Sequence, residues 1–452
     1  MFGLKNGFEF TGKLVFSKSG QSFPVSASQM RLVLGNRHDC LMQLDIQETH
    51  PLEFFMHVAS HPDDEPLNVE GTTSNGMPLT AVRLSMHNYT TFSPSEVTVG
   101  TVRPVARVRL FFPNLRITTM HDLVVYGPRD YRSVKRPWLF QFPKPLEKYS
   151  CEFRLRKDLS KITVDKRNNS QYRLTGVVDI TAGSGQLVDW WEVEEAISRL
   201  CTLLSLASGQ RVNWLVAQGT DSKMSAPSWW LFRRHAISEW NGKGAVIPIH
   251  WNAHCFARLM ECWPTIMQFS DKQVVALRQA IHLYLQSGPT YSFPVPLYCC
   301  SGAFEVLFSA FFGGRDNNYI TDKSVARKVQ KSFKTWAKND FLPHVDADLE
   351  EEIRRSLDIK FDQLNSRYLS GKITTMAKEL NLSYDNKVVA KFVKIRNNAT
   401  HGLDLSVQDT YEPFLVVKDM EDLLVRIILR LLNYRGQYWG YERKYGVMKN
   451  VE

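Results

Sequence analysis

The sequence predicts an α+β protein in which a β-rich N-terminal domain, a sandwich or barrel-like fold, precedes an all-α C-terminal helical bundle. Before residue 185, short runs alternate apolar and polar residues between Gly, Pro, Asn and Asp turns, as half-buried strands do. From residue 187 onward, apolar residues recur every three to four positions, as on one helix face. The 452 residues are therefore expected to form a β-rich domain (1–185), a mainly helical connecting region (186–295) and a helical bundle (296–452).

The β-rich domain and the start of the bundle show the clearest elements. Strands are expected at 8–16, 79–84, 97–102, 123–126 and 172–180. The first bundle helix is predicted at 297–312, with a stop at Gly313, and the second begins at a cap, Thr321 or Asp322. An apolar stripe on the second helix predicts a side that faces the core: Val325, Val329, Phe333 and Trp336.

Three later helices complete the predicted bundle. The third has apolar residues on one face between 353 and 368 and is expected to end at Gly371. Asp385 or Asn386 caps a further helix that ends at Gly402, and the last helix is predicted at 419–434. These amphipathic segments with short connections indicate a bundle.

The net charge of +10 comes from one part of the chain. Residues 101–173 hold 17 Lys and Arg against 6 Asp and Glu, so the remainder of the chain is almost neutral. Basic and apolar residues alternate there, which predicts a cationic sheet face that binds nucleic acid through Arg107, Arg109, Arg154 and Arg156. The alternative is that these arginines are ordinary solvated strand residues whose partners cannot be identified from the sequence alone.

No metal site and no cofactor is predicted. The nearest group of zinc-type ligands is His250, His254, Cys255 and Cys262, but no paired Cys-x-x-Cys accompanies it. A phosphate-binding glycine loop ending in Lys-Ser or Lys-Thr is missing as well, which disfavours a nucleoside triphosphatase.

A cytoplasmic protein without a membrane partner is the expected setting. No run approaches the ~18 apolar residues of a membrane helix, and the first residues do not resemble a signal peptide. The seven cysteines are odd in number and scattered, which fits a reducing compartment better than a disulfide framework.

The strongest candidate for chemistry is the segment Arg396-Asn397-Asn398-Ala399-Thr400-His401 at the end of a predicted helix. An Arg and a His at this spacing are expected by chance about once in such a chain, and Arg116 and His121 form a second case. Only the later pair closes an amphipathic helix of the bundle, so context separates it from the earlier one.

This segment resembles the signature of the HEPN (higher eukaryotes and prokaryotes nucleotide-binding) superfamily, an Arg and a His on a late bundle helix. A β-rich N-terminal half before such a bundle further resembles the Abi-associated ApeA family of antiphage defence proteins. The resemblance implies a metal-independent ribonuclease that acts as a dimer. Many members carry an additional Glu on an earlier helix, and here only Glu305 is available for that supporting role.

The residue types suit RNA cleavage by the RNA's own 2′-hydroxyl. His401 can act as general acid or base because imidazole titrates near neutral pH. Arg396 can stabilise the phosphorane charge, and Asn397 can orient His401 or a phosphate oxygen. On a regular helix Arg396 and His401 lie about 140° apart, so either the last turn is distorted or a second copy of the chain completes the site.

The sequence therefore predicts an RNA-cleaving homodimer or higher homo-oligomer, with a phage-derived trigger as a further partner and an abortive-infection or toxin role. A non-catalytic nucleic-acid-binding protein with a silent bundle is the main alternative. A polysaccharide-binding β-sandwich is a third possibility, which explains the charge less well.

Overall fold

The chain forms two compact units in a computed structural model. Unit 1 comprises residues 1–239 and 247–267, and unit 2 comprises residues 240–246 and 268–452. The described residues are 8–18, 21–34, 40–46, 66–73, 76–88, 91–113, 120–126, 131–136, 138–155, 174–222, 226–233, 244–249, 252–288, 293–313, 320, 322–346, 349, 351, 353, 356, 368–400, 411–442 and 445–451.

Six antiparallel strands close into a ring at the start of unit 1. They are β1 (Phe8–Lys18), β2 (Gln21–Leu34), β3 (Cys40–Ile46), β4 (Leu67–Thr72), β5 (Pro78–Asn88) and β6 (Thr91–Ser93). The order is β5-β4-β1-β2-β3-β6, and β6 pairs back onto the far end of β5. This closed ring is the barrel-like form of the predicted β-rich domain.

Seven further antiparallel strands extend the sheet from β5. The strands that follow β6 along the chain are β7 (Glu96–Val99), β8 (Arg107–Pro113), β9 (Met120–Tyr126), β10 (Tyr131–Arg136), β11 (Trp138–Gln141), β12 (Tyr149–Leu155), β13 (Leu174–Ala182), β14 (Val216–Thr220) and β15 (Trp229–Arg233). The extension runs β5-β7-β15-β14-β8-β13-β12-β11, while β9 and β10 form a separate hairpin. The β14–β15 hairpin thus lies between β7 and β8, although those two strands are neighbours along the chain.

Three helices cover the apolar face of this extension: α1 (Trp190–Ser208), α2 (Ala253–Met260) and α3 (Trp263–Met267). Phe256 of α2 packs edge-on against Phe153 of β12, with ring centroids 5.7 Å apart, and Trp190 of α1 packs against Trp214 and Trp229. Along β8, Val108, Leu110 and Phe112 are fully buried while the intervening residues are half-buried. The period-two pattern predicted for this strand is confirmed.

The segment 186–295 is divided differently from the predicted connecting region. It contributes α1, α2, α3, β14 and β15 to unit 1, whereas its last helix belongs to unit 2. The physical reason is burial: Val216, Ala217 and Leu231 are fully buried in the sheet. The short apolar runs of β14 and β15 are therefore central strands of the sheet.

Unit 2 is mainly helical. Its helices are α4 (Asp271–Gln286), α5 (Val295–Leu307) with a π-helical turn (Phe308–Phe312), α6 (Lys323–Trp336) with a π-helical turn (Ala337–Phe341) and a 3₁₀ turn (Leu342–His344), α7 (Leu369–Glu379), α8 (Asn386–Thr400) and α9 (Tyr411–Leu431). A hairpin, β16 (Gln437–Glu442) and β17 (Tyr445–Asn450), follows α9. Helix α5 packs against α4, α7, α8 and α9, which makes it the central helix of the unit.

The helix boundaries confirm some predictions and correct others. Asp322 caps α6, since its Oδ1 accepts a hydrogen bond from Ser324 N at 2.7 Å, and Gly313 ends the π-helical turn after α5. Gly371 was expected to end a helix, but it lies in the first turn of α7, which begins after Tyr368. The last helix starts earlier than predicted because Pro413 falls in its first turn, where proline removes no hydrogen bond.

One helix in the described part of the chain, Val295–Phe312, is long and apolar enough to cross a membrane by length and composition alone. A helix in the interior of a protein passes the same test. Leu297, Cys300, Phe304 and Leu307 of this helix are fully buried in the structure. Its apolar composition is thus explained by its central place in unit 2.

Candidate functional site

The end of α8 is held in place by apolar packing along one face. Val389, Phe392 and Ile395 are buried, and the Phe392 ring lies edge-on to Phe304 of α5 at 6.4 Å. At the start of the helix, Asp385 Oδ1 accepts a hydrogen bond from Lys387 N at 2.8 Å. These contacts position the polar residues of the last turn relative to the rest of unit 2.

Arg396 is one turn beyond Phe392 and is half-buried. Its Nη1 donates a hydrogen bond to Asn397 Oδ1 at 3.2 Å, and its Nε is buried without a hydrogen-bond partner. No carboxylate of the described residues pairs with it. The guanidinium is therefore a partly buried cation with a neutral neighbour, which differs from an arginine that serves a structural ion pair.

His401 itself lies outside the described residues, as does Gly402. The helix remains α-helical through Thr400, whose Oγ1 donates a hydrogen bond to Arg396 O at 2.8 Å. Of the two explanations for the predicted 140° separation, a distortion of the turn before His401 is thus not seen between Arg396 and Thr400. The prediction that a second chain completes the site stays a prediction.

Glu305, the predicted supporting residue, is half-buried on α5 and directly follows Phe304. Within the described part of unit 2, no ion pair or hydrogen bond joins it to Arg396. The two residues lie on helices that pack together through Phe304 and Phe392.

Two of the four arginines predicted to bind nucleic acid are engaged with carboxylates in the sheet. Arg109 Nε and Nη2 donate to the two oxygens of Asp179 at 2.6 and 2.9 Å, and Asp179 is buried. Arg154 forms the same two-pronged pair with Glu152 at 2.7 Å, which raises the pKa of Arg154. The partner of Arg109 lies 70 positions away along the chain, whereas that of Arg154 lies two positions away on the same strand. Both pairs fit the alternative that the sequence left open, ordinary strand arginines with partners of their own.

The other two arginines of the predicted cationic face are Arg107 and Arg156. Arg107 is half-buried on β8, and within the described residues it has no carboxylate partner. Arg156 lies outside the described residues. Among the three of these arginines that the structure describes, Arg107 is the one without a carboxylate partner in the described part of the chain.

The structure describes three of the four zinc-type residues, and these differ in exposure. His254 is exposed on α2, whereas Cys255 and Cys262 are buried, and burial raises the pKa of the Cys262 thiol to about 12. His250 lies outside the described residues. In the described chain no group of three or more His, Cys, Asp and Glu side chains could hold a metal ion.

Two buried carboxylates on α9 were not singled out from the sequence. Glu421 accepts hydrogen bonds from Ser287 Oγ at 2.6 Å and from Lys418 Nζ at 2.9 Å. Asp422 accepts one from Tyr438 OH at 3.3 Å. Because each is compensated by partners on neighbouring elements, they attach α4 and the β16–β17 hairpin to α9 and have a structural role.

A second feature that the sequence analysis missed is the surface of α6. The helix carries five basic residues and no acidic one. Its basic side lines a shallow open groove formed by Arg327, Gln330, Lys331, Lys334, Thr335 and Lys338. The apolar stripe, expected to face the core, is exposed: Val325, Val329 and Trp336 keep 43%, 42% and 48% of their surface accessible. The sequence pattern was sufficient to find the stripe but could not tell whether another helix covers it.

Comparison with known proteins finds a family match for one part of unit 1. Residues 100–243 match a family model described as the YopA central domain, and this segment contains β8 to β15 and α1. The match covers roughly a third of the chain, and it is to this family and not to a HEPN or ApeA model. No curated protein and no solved structure gives a significant match.

Proposed function

We propose that the protein is a metal-independent endoribonuclease whose site is the end of α8. The observation that supports this most is the state of Arg396, a partly buried guanidinium with a buried, unpartnered Nε and no carboxylate partner among the described residues. It is followed five residues later by His401. A cation kept in this state is ready to receive an anionic ligand, and the adjacent imidazole is the side chain that transfers protons near pH 7.

The chemistry requires no metal. The 2′-oxygen of the RNA forms a bond to the adjacent phosphorus while the bond from phosphorus to the 5′-oxygen breaks. The 2′-hydroxyl loses its proton to a base, and the leaving 5′-oxygen receives a proton from an acid. Arg396 stabilises the charge on the phosphorane oxygens, and Asn397, already hydrogen-bonded to Arg396, orients that cation.

A homodimer supplies both proton-transfer groups. One His401 follows the C-terminal end of α8, where the helix dipole favours the imidazolium form, and acts as the acid. The His401 of a second copy acts as the base. The products are a 2′,3′-cyclic phosphate and a 5′-hydroxyl, and the cellular role that suits such an enzyme is growth arrest in antiphage defence, released by a phage-derived trigger.

The test is cleavage of RNA in EDTA by the wild type and by Arg396→Ala and His401→Ala. Each variant is expected to lose about 100-fold or more in rate, because it removes a charge-stabilising or proton-transferring group. Arg435→Ala and His344→Ala, which replace exposed residues of the same types in unit 2, are the matched controls and keep full activity. Undiminished cleavage by the two site variants would overturn the assignment.

Two further arms sharpen this experiment. Because the proposed site needs His401 of both copies, a mixed dimer of Arg396→Ala and His401→Ala retains only one of the two imidazoles and should stay inactive. Restored activity would show instead that one site needs a single His401 and the Arg396 of the other chain. If the wild type retards RNA on a gel yet leaves its ends unchanged, the protein is the non-catalytic binding protein instead. Mapping RNA ends after induced expression, beside His401→Ala, identifies the RNA that is cut.

A further inference from the structure

The two opposite faces of α6 are both exposed, and together they identify the kind of surface that the helix binds. Val325, Val329 and Trp336 lie within about 40° of one another around the helix, whereas Arg327 and Lys331 lie on the opposite side. Every residue from Ser324 to Trp336 is exposed or half-buried. Among the described elements, the extensive packing of α6 is limited to the π-helical turn that continues it.

An aromatic cluster ends the apolar stripe. The Trp336 ring lies 5.6 Å from that of Phe333 and 6.0 Å from that of Phe341, and Phe341 is 39% exposed. Tryptophan and phenylalanine in an exposed cluster are the residues that enter the boundary between lipid headgroups and acyl chains. An apolar patch of this kind is costly in water and indicates a surface that a partner covers.

We propose that α6 adsorbs the protein to an anionic phospholipid surface, with its axis in the plane of the membrane. The helix has the two features that such adsorption requires: a basic polar face and an apolar face with Trp, Phe and Val. The apolar stripe enters the headgroup boundary, and Lys328 at its flank reaches the phosphates directly. The cations farther around the helix lie within about a Debye length of the surface, ~8 Å, and add long-range attraction.

Other occupants use only one of the two faces. RNA would bind the basic groove along Arg327, Lys331 and Lys338 and leave Val325, Val329 and Trp336 in water. A second copy of the chain would cover the stripe, but it would bring two helices of the same high positive charge together. An anionic bilayer accounts for both faces at once, so charge complementarity and the exposed stripe favour it. This association is peripheral, and it differs from the sequence-based prediction that the protein has no membrane partner.

The test is flotation of the full-length protein, freed of nucleic acid, with vesicles of phosphatidylcholine alone or with phosphatidylserine. The wild type is expected to float with the anionic vesicles and to remain behind with the neutral ones. The variant Lys331→Glu/Lys334→Glu and the variant Trp336→Ala should each reduce the bound fraction about tenfold. Lys272→Glu/Lys378→Glu and Trp191→Ala, which change exposed residues elsewhere, should bind as the wild type does.

Three results would overturn the proposal. The first is equal binding of wild type and α6 variants to both vesicle types, or no binding at all. The second is that the wild type retards RNA but does not bind vesicles, and that the α6 charge variant no longer retards RNA. This result would assign the groove to nucleic acid. The third is a change of oligomeric state in Trp336→Ala without vesicle binding, which assigns the stripe to a second copy. Arg396→Ala, inactive under the proposed ribonuclease function, should float normally, so the two proposals fail independently.

Discussion

The pair between Arg109 and Asp179 shows how a single residue is explained by a distant partner. Arg109 lies on the half-buried side of β8, and its guanidinium meets a carboxylate 70 positions later in the chain. Asp179 in turn lies opposite Glu152 on β12, and Arg154 pairs with that Glu152. Removing one member leaves a buried group without its compensating charge, which costs more than the pair contributes.

Asp179→Ala is therefore expected to lower the free energy of unfolding by about 2–3 kcal/mol, since Asp179 is buried and Arg109 is largely so. The matched control is Arg103→Ala. It removes an ion pair to Asp221 whose two side chains are 58% and 27% exposed, and it should cost less than about 1 kcal/mol. Urea denaturation followed by circular dichroism measures both. Equal losses would mean that the Arg109 pair is no more than a surface contact.

Sequence patterns find such residues but not their partners. Alternation along β8 correctly assigned Arg109 to the face opposite Val108 and Leu110, because side chains alternate on every strand. The sequence could not show that Arg109 forms an ion pair, because its partner Asp179 is brought near only by the pairing of β13 with β8. Arg109 was therefore predicted to be an RNA ligand. The same limit applies to Glu305, whose distance from Arg396 depends on how α5 and α8 pack.

At the scale of the element, the β14–β15 hairpin depends on a glycine. Gly219 lies opposite Trp229 in the strand register, and a Cβ at Gly219 would be 2.2 Å from the indole ring. The indole cannot retreat easily, because its Nε1 donates a hydrogen bond to Arg103 O at 3.1 Å and the ring is fully buried. Only a residue without a side chain fits at this position.

Gly219→Ala is expected to destabilise the protein by about 1–3 kcal/mol, because the added methyl group overpacks the indole. Gly183→Ala is the control. A Cβ there has as its nearest neighbour Lys148 O at 4.0 Å, which is an ordinary contact. The midpoint of thermal unfolding compares the two variants. A loss as large for Gly183 as for Gly219 would show that the cost comes from the backbone and not from the indole.

Helices were predicted best where local chemistry marks their ends. Asp322 and Asp385 each accept hydrogen bonds from the backbone of the next turn, which is the interaction that the cap pattern predicts. The exposure of α6 was not predictable, since the stripe of an amphipathic helix looks the same whether a helix, a membrane or a second chain covers it. The periodicity of a helix identifies its apolar face, but it carries no information about which neighbouring element packs against that face.

At the scale of the whole molecule, the sheet is joined at one place. β14 pairs with β8 on one side and with β15 on the other, and β15 pairs with β7, which leads to the ring of β1 to β6. The two parts of the sheet are therefore connected through a hairpin that follows all the other strands of this sheet along the chain. The predicted boundary at residue 185 fell short of this hairpin because short apolar runs of five residues, buried almost throughout, are hard to separate from buried helical segments by periodicity.

Ala217→Pro is expected to disrupt this junction. A proline at the buried centre of β14 removes a ladder hydrogen bond between strands that are paired on both sides, and the buried backbone group left without a partner costs about 1–3 kcal/mol. Leu139→Pro, the same kind of change in the edge strand β11, should cost less, because an edge strand tolerates proline. The soluble fraction after expression compares them, and a similar loss for both would contradict a special role for the junction.

Because this hairpin follows the other strands of the sheet along the chain, the ribosome synthesises it well after β7 and β8. β8 is complete at residue 113, whereas β14 begins only at residue 216. At elongation rates of 5–20 residues per second, roughly 5–20 s pass between the synthesis of β8 and that of β14, and until then one edge of β7 and one edge of β8 lack the strands that later cover them, β15 and β14. During that interval the nascent chain carries two open strand edges, which are sites for aggregation and for chaperone binding. Slowing translation before residue 216 should therefore reduce the yield of native protein more than slowing it after residue 233.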